Sequence, residues 1–389
     1  MVVDPGCFTP AYDGELCSAL SQQGERVTLV TAPHQNDPTH RFPAGFEVTE
    51  LFFNRAVFQR RRWWRKVVKG AAYPWYYRRL LRLMKQMNPD VLHFQWMLVP
   101  PVDLYFIRRI RRRFPSTIIV VTVHNLRPLT SIESPRHREG ILNLANGIVV
   151  HGRDSMARLL RRFPDVDANK VAVIPHGPLH MAAEREARGS QYPSTDPGVE
   201  RKHVGLVFGE IKSYKGLDVL ADAVSLLSET EKRRLTLVVA GKLEEPGCRA
   251  DLERLASRGV AVDMKIGYVP NADVPKYFRA ADFVLLPYKV ITQSGVLLTA
   301  LSHGRMVIAS ALGDMPEVIE ATKGGWSIPP ASATALADAL RTVLARTTTE
   351  LHLIGAHARE ALLSQFGWER VAASTTNHYR RCVARRAVR

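Results

Sequence analysis

Two doubly wound α/β lobes are the architecture this sequence predicts, and three observations carry it. The chain has 389 residues, and single cores rarely grow beyond about 250–300 residues. Short apolar, β-branched runs alternate with amphipathic stretches, first up to His176 and again from His203. Between the two series, residues 177–202 are rich in Gly, Pro, Ser and charge and follow neither period. Continuous apolar strands separated by helices imply parallel sheets covered on both faces. This places a first lobe over 1–180, a linker over 181–202, a second lobe over 203–367, and a late helix over 368–389.

In the first lobe, the helix containing ELCSALSQQG ends at Gly24, and ERVTLVTAP follows as a strand. PDVLHFQW, STIIVVTVHN, ANGIVVHG and NKVAVIPHG read as further strands, with RDSMARLLRRF as a helix between the last two. In the second lobe the strands are HVGLVFGEI, RLTLVVAGKL, VAVDMKIGYV, AADFVLLPY, RMVIASAL and GGWSIPP. The helices between them are GLDVLADAVSLLS, DLERLASRG, ADVPKYFRA and GVLLTALSHG. Open sheets of this kind bind ligands outside the carboxyl ends of their strands, so the expected site is a cleft between two such edges.

Several classes are disfavoured. No G-x-G-x-x-G follows the first strand, which counts against a dinucleotide cofactor, and no Walker A pattern occurs. The start MVVDPGCFTP lacks a basic segment followed by an apolar one, so no signal peptide is expected. No apolar run approaches the ~20 residues of a membrane helix. Cys7, Cys17, Cys248 and Cys382 have neither paired nor metal-like spacing and read as reduced, structural thiols of a cytoplasmic protein. No metal cluster is evident.

Two loops carry chemistry. In VFGEIKSYKGLDVL, Lys212 and Lys215 lie between a strand and a helix start. Ammonium groups, free N–H groups and the helix dipole converge there on an anion site; the alternative is a pair of solvated lysines. In KVITQSGVLLTALSHG, Thr292 and Ser294 are natural N-cap oxygens, and Gly295 permits close approach to the backbone. An ordinary capped helix is the alternative there. Both loops follow strands of one sheet, and two adjacent anion sites suit a diphosphate.

These loops are also where a resemblance enters. FGEIKSYKGLDVLADA, IGYVPNADVPKYFRAADFVLLPY, TQSGVLLTALSHGRMVIAS and GDMPEVI, in that order, resemble the second half of the retaining glycosyltransferases of family 4. DPGCFTPAYDGEL, HFQW, VTVHN and VVHGRDSM resemble the first half more loosely. The resemblance implies the GT-B fold: two Rossmann-like lobes facing across a cleft, with the C-terminal helix returning to the first. It implies that Lys215 contacts the diphosphate of a nucleotide-sugar donor and that Lys212 replaces a phosphate-binding arginine. Gly209 would allow close approach, Tyr268 and Val269 would offer backbone groups to the base, and Gln293, Ser294 and Gly295 would hold the diphosphate. His124 matches a histidine near the transferred sugar, although a satisfied histidine at a strand end is the plain alternative. Asn125 and Arg127 flank it. Asp314, Met315 and Pro316 are candidates for contacts to the sugar hydroxyls. Tyr12, Asp13, Gln95 and Trp96 are the expected acceptor-side residues. One departure stands out. Relatives carry two glutamates as E-x7-E, whereas here no first glutamate is present and Thr299 occupies the second, ribose-binding position. A neutral hydroxyl binds a ribose more weakly than a carboxylate.

The charge is strongly basic, +17 overall, and residues 51–89 contain eleven Lys/Arg and no Asp/Glu. Basic excess of this kind seeks an anionic partner. Over 59–85, Trp63, Trp64, Val67, Val68 and Ala71 share a helical face, and after an expected break at Pro74 so do Tyr76, Tyr77, Leu80, Leu81 and Met84. Such helices suit an anionic membrane surface; burial of the apolar stripes against the lobe and single-stranded nucleic acid are the alternatives. A second basic run, RRIRRRF, strengthens the polybasic reading without choosing among partners. The resemblance favours the membrane, through acceptors linked to polyprenyl diphosphate or phospholipid on the inner face of the plasma membrane, and disfavours nucleic acid.

The expected function is therefore transfer of a hexose from a nucleoside-diphosphate sugar to an acceptor hydroxyl in cell-surface polysaccharide or glycolipid synthesis, without a metal or other cofactor. A soluble transferase acting on a small natural product, and a non-catalytic degenerate transferase serving as partner subunit, are the alternatives.

Overall fold

The computed structural model describes residues 1–34, 40–54, 62–125, 134–179, 202–291 and 293–387, with side chains of 62–70 and 387 left aside. The chain divides into two compact units, Met1–Gly177 with Trp368–Arg389, and Pro178–Gly367. The expected linker, 181–202, lies almost wholly outside the described residues.

The first unit contains β1 (Val2–Asp4), β2 (Thr28–Thr31), β3 (Glu47–Glu50), β4 (Val91–Phe94), β5 (Ile118–Thr122), β6 (Gly147–Val150) and β7 (Val171–Val173). They form one parallel sheet in the order β3-β2-β1-β4-β5-β6-β7. Strands β4 to β6 are nearly all buried, as expected for a sheet covered on both faces. The helices are α1 (Pro10–Gln22), α2 (Arg62–Met87), α3 (Pro100–Arg113), α4 (Pro135–Leu144) and α5 (Arg153–Arg162).

The second unit contains β8 (His203–Phe208), β9 (Leu235–Gly241), β10 (Ala261–Ile266), β11 (Phe283–Leu286), β12 (Met306–Ser310) and β13 (Gly325–Ile328), parallel throughout in the order β10-β9-β8-β11-β12-β13. Its helices are α6 (Leu217–Ser225), α7 (Glu229–Arg233), α8 (Cys248–Ala256), α9 (Val274–Ala280), α10 (Gly295–Ser302), α11 (Met315–Thr322), α12 (Ala333–Leu344) and α13 (Thr348–Phe366). The last helix, α14 (Trp368–Ala387), packs on α1 in the first unit. Gly147 and Gly177 make room for it. A Cβ at Gly147 would stand 2.5 Å from His378 Nε2, and one at Gly177 would stand 2.5 Å from the Trp368 ring.

The basic aromatic segment corrects two expectations. It is one helix that runs through Pro74, since a proline removes one N–H and its bond while packing on both sides holds the rest. From Tyr73 onward its apolar stripe is core: Tyr73, Tyr76, Tyr77, Leu80, Leu81 and Met84 are all buried, whereas Ala71 is exposed. Tyr73 and Tyr77 both donate to Asp103 Oδ1, at 2.8 and 2.6 Å, and Val99 N–H donates to Asp103 Oδ2 at 2.9 Å. These bonds pin α2 to α3. What faces outward is the cationic side, together with Trp75, over which the Arg79 guanidinium lies at 5.0 Å. The side chains of Trp63 and Trp64 lie outside the described residues.

The four cysteines are free and buried. No described helix is long and apolar enough to cross a membrane.

Candidate functional site

In the second unit, β8 ends at Phe208, and the chain turns at Gly209 with φ +98°. A Cβ at Gly209 would lie 3.2 Å from Lys215 Nζ and 3.6 Å from Val296 Cγ2. Glycine there leaves open the point where the lysine loop meets the start of α10. Gly216, at φ +72°, ends the loop, and a Cβ there would come within 1.9 Å of Pro287 O, so no side chain fits.

Lys215 is 4% exposed. Its Nζ donates to Phe208 O at 2.7 Å and to the Tyr288 hydroxyl at 3.0 Å, and it sits 4.9 Å from the centre of the Tyr288 ring. An ammonium has three donors, so among the described residues one remains for a ligand. Burial pulls its pKa down to about 8, against smaller upward pulls from Tyr214 and Glu210. Lys212 behaves differently from the expectation. It is half-buried and paired with Glu210 at 2.5 Å, so a phosphate would compete with a carboxylate for it.

At the start of α10, Ser294 Oγ accepts from Leu297 N–H at 3.2 Å. Among the described residues, the N–H groups of Gly295 and Val296 have no acceptor, and two free amides at a helix start favour an anion. Gln293 Nε2 donates to Asp314 Oδ2 at 3.3 Å, which draws Asp314 to the same edge. Thr299 is buried and gives its hydroxyl proton to Gly295 O at 2.8 Å; it offers a ribose lone pairs and no donor. Tyr268 is exposed and Val269 half-buried, beyond the end of β10. Thr292 lies outside the described residues.

The first unit gathers aromatic rings at the carboxyl ends of β4 to β7. His124 follows β5, His151 follows β6, and His176 lies three residues beyond β7. His151 Nδ1 donates to Ile174 O at 2.9 Å, since a carbonyl only accepts. In a neutral ring His151 Nε2 then accepts, and the donor at 3.1 Å is His124 Nδ1. That leaves His124 Nε2 as a lone pair 3.0 Å from Gln95 Oε1; two acceptors cannot bond each other, so the amide turned over, with its NH2 toward His124, satisfies this tautomer. Burial lowers all these rings, His151 to about 3, His176 to about 4, and His124 well below 6.5. His93, within β4, is likewise lowered by burial to about 3. The rings are neutral at pH 7. Among the described residues, no group of three or more His, Cys, Asp or Glu side chains is placed to hold a metal ion.

Trp96 stacks on His124 at 4.8 Å, and Tyr12 meets it edge-on at 5.1 Å. Gln95, Trp96 and His124 share one small cavity of about 60 Å³ with Asn125 and Arg138. Asp13 does not join them. It is 1% exposed and packed against Asp4, and burial, helped by the Asp4 charge, holds the Asp13 carboxyl well above the usual range. Asp4 in turn accepts the N–H groups of Gly6, Phe8 and Thr9. Asp13 thus stands beside Asp4 and Thr9, apart from the residues that line that cavity. Arg127 lies outside the described residues.

Sequence reasoning missed Tyr288, Glu210, His151 and His176. His151 and His176 carried a readable signal, because VVHG and IPHG place histidines past consecutive strand ends just as VTVHN does.

Comparison with known proteins gives a consistent picture. The family described as Glycosyltransferase Family 4 matches residues 14–177, and that described as Glycosyl transferases group 1 matches residues 202–346. A D-inositol 3-phosphate glycosyltransferase of Corynebacterium glutamicum is 25% identical over 251 residues, 63% of this chain and 59% of its own length. A GDP-mannose:glycolipid 4-beta-D-mannosyltransferase of Xanthomonas campestris is 31% identical over 121 residues, 31% of this chain and 34% of its own. Among solved structures, sucrose-phosphate synthase of Thermosynechococcus elongatus superposes with a TM-score of 0.70 at 19% identity, covering 99% of this chain and 98% of that one. HepE from Anabaena in complex with UDP gives 0.65 at 14% identity, covering 97% and 98%. Two family matches in chain order, on two parallel-sheet units of this topology, place the chain among the group 1, family 4 glycosyltransferases of GT-B fold.

Proposed function

We propose that this chain transfers a hexose from a nucleoside-diphosphate sugar to an acceptor hydroxyl, with retention of anomeric configuration. The observation that carries the reading is Lys215, an ammonium buried beside a helix start with one N–H unspent. As the glycosidic bond breaks, negative charge grows on the departing diphosphate. A fixed cation and preset amides stabilise that charge without reorganising. The acceptor attacks from the face the diphosphate leaves, and the diphosphate takes its proton. His124, by resemblance, lies near the transferred sugar. A thermal-shift series with UDP, GDP and dTDP tests donor binding, since a ligand of the folded state raises its stability. An inverted product anomer would refute retention. The β linkage in the Xanthomonas enzyme's name makes that measurement the sharper one.

The acceptor we infer is lipid-linked, at an anionic membrane surface. Arg78, Arg82 and Lys85 of α2 face Arg109 and Arg113 of α3 across a groove of about 340 Å³ that no carboxylate lines. None of the five has an ion pair among the described residues. Each such cation near an anionic surface contributes roughly 1 kcal/mol. The glycolipid in the Xanthomonas relative's name supports the same reading. A second reading also has an observation behind it. The first-unit cavity is walled by Phe94, Met97, Pro100, Val121, Ile141 and Leu142, as a small apolar acceptor would need. Flotation with anionic liposomes separates the two: no lipid dependence would sink the membrane reading. Tight nucleotide binding with no turnover would instead identify a non-catalytic subunit.

A further inference from the structure

We infer that Tyr288 is a positioning residue of the diphosphate site, its hydroxyl fixing the Lys215 ammonium. This rests on the donor reading above. Tyr288 lies two residues beyond β11, 1% exposed, and nothing in its place as a core aromatic requires a hydroxyl. That hydroxyl accepts from Lys215 Nζ at 3.0 Å. Burial keeps the phenol neutral, pushing its pKa up, so its oxygen meets the ammonium as an uncharged acceptor.

Phe208 O and the Tyr288 oxygen take two of the ammonium's three N–H bonds among the described residues, which leaves one for a diphosphate oxygen. Tyr288 thereby sets where the cation stands before any ligand arrives. A site held within a fraction of an ångström by its supporting residues loses little on binding.

The same contact governs whether Lys215 stays charged. Facing its ammonium are the Phe208 carbonyl, the hydroxyls of Tyr214 and Tyr288, the Glu210 carboxylate and the Lys212 ammonium. Burial already draws its pKa to about 8. Removing one of its two acceptors disfavours the charged form further.

The test compares wild type with Tyr288→Phe, which keeps the ring. The Lys215 titration is followed by 15N-lysine NMR in the free protein, and UDP and GDP affinities are measured by calorimetry from pH 6.5 to 9.5. The expected result is a Lys215 midpoint about one pH unit lower, with affinity down roughly tenfold at pH 8 and only a few-fold at pH 6.5. A merely structural tyrosine would lower affinity equally at every pH and leave the midpoint in place; that result overturns the inference. Wild type that binds neither UDP nor GDP overturns the donor reading and, with it, the role given to Tyr288. Wild type that binds while the variant's pH profile superimposes on it overturns the inference alone. Should Tyr288→Phe fail to fold, wild type carries the test: an NOE from the Lys215 ammonium to the Tyr288 ring supports the link, and its absence overturns it.

Discussion

The two units share a topology and differ in how their strand ends are charged. Past β5, β6 and β7 the first unit holds imidazoles that burial keeps neutral and that bond in series, His124 to His151 to Ile174 O. Past β8 and β11 the second unit holds an ammonium that burial weakens but does not discharge at neutral pH. Both sets of groups are displaced from their ordinary titration, and in both the cause is desolvation. The lesson is that one sheet edge handles polarity without charge and the other concentrates one cation. Protonation therefore costs the first unit stability, whereas in the second it is loss of the Lys215 proton that costs diphosphate binding.

Acid should show the largest effect. A buried histidine with a lowered pKa takes up its proton only on unfolding, so stability is lost as pH falls from about 6.5 toward the folded-state value. For His93, His151 and His176, lowered to about 3, 3 and 4, the slope is at most about 4 kcal/mol per pH unit together. Hydrogen exchange between pH 7 and 5 should show the first unit opening ahead of the second; equal loss in both would break the comparison. Base acts on the second unit. Diphosphate binding should fall as pH rises through about 8, where Lys215 loses its proton. Next in size is Lys215→Ala, expected to weaken UDP or GDP binding and any turnover by about 10²–10³-fold, read by calorimetry and a transfer assay. Replacing Arg82 and Arg109 together by alanine should cost about 2 kcal/mol of liposome affinity and leave nucleotide binding as it was. The smallest effect belongs to Lys212→Ala, at most a few-fold in affinity, because Glu210 already neutralises it. A loss equal to that of Lys215→Ala would show that the ion pair opens for the ligand.

Much of this was legible beforehand. Periodicity marked the strands of both units, and strand–loop–helix spacing pointed to Lys212, Lys215, Ser294 and Gly295, while Gly209 came only with the family resemblance. What spacing does not carry is partnership. Lys212 and Lys215 look alike in KSYKG, and only folding shows that one is buried on two acceptors while the other meets Glu210. Asp13 reads as a loop carboxylate, yet the turn of α1 drives it inward against Asp4. The stripe from Tyr73 to Met84 suits a lipid interface and a protein core equally well, because both want the same amphipathic period. Asp103, thirty residues on, decides for the core by bonding Tyr73 and Tyr77. Tyr288 ends a continuous apolar strand, where an aromatic reads as packing alone.

The contribution of α14 to the first unit has a consequence for biosynthesis. Tyr379 bonds His93 Nδ1 at 2.6 Å, His378 and Cys382 fill the space over Gly147, and Trp368 covers Gly177. These side chains leave the ribosome after the whole second unit has been made. The unit synthesised first thus stays incomplete until the second has been made, while the second has every residue of its own core at hand. Folding of the nascent chain should accordingly finish in the reverse of the order in which it began.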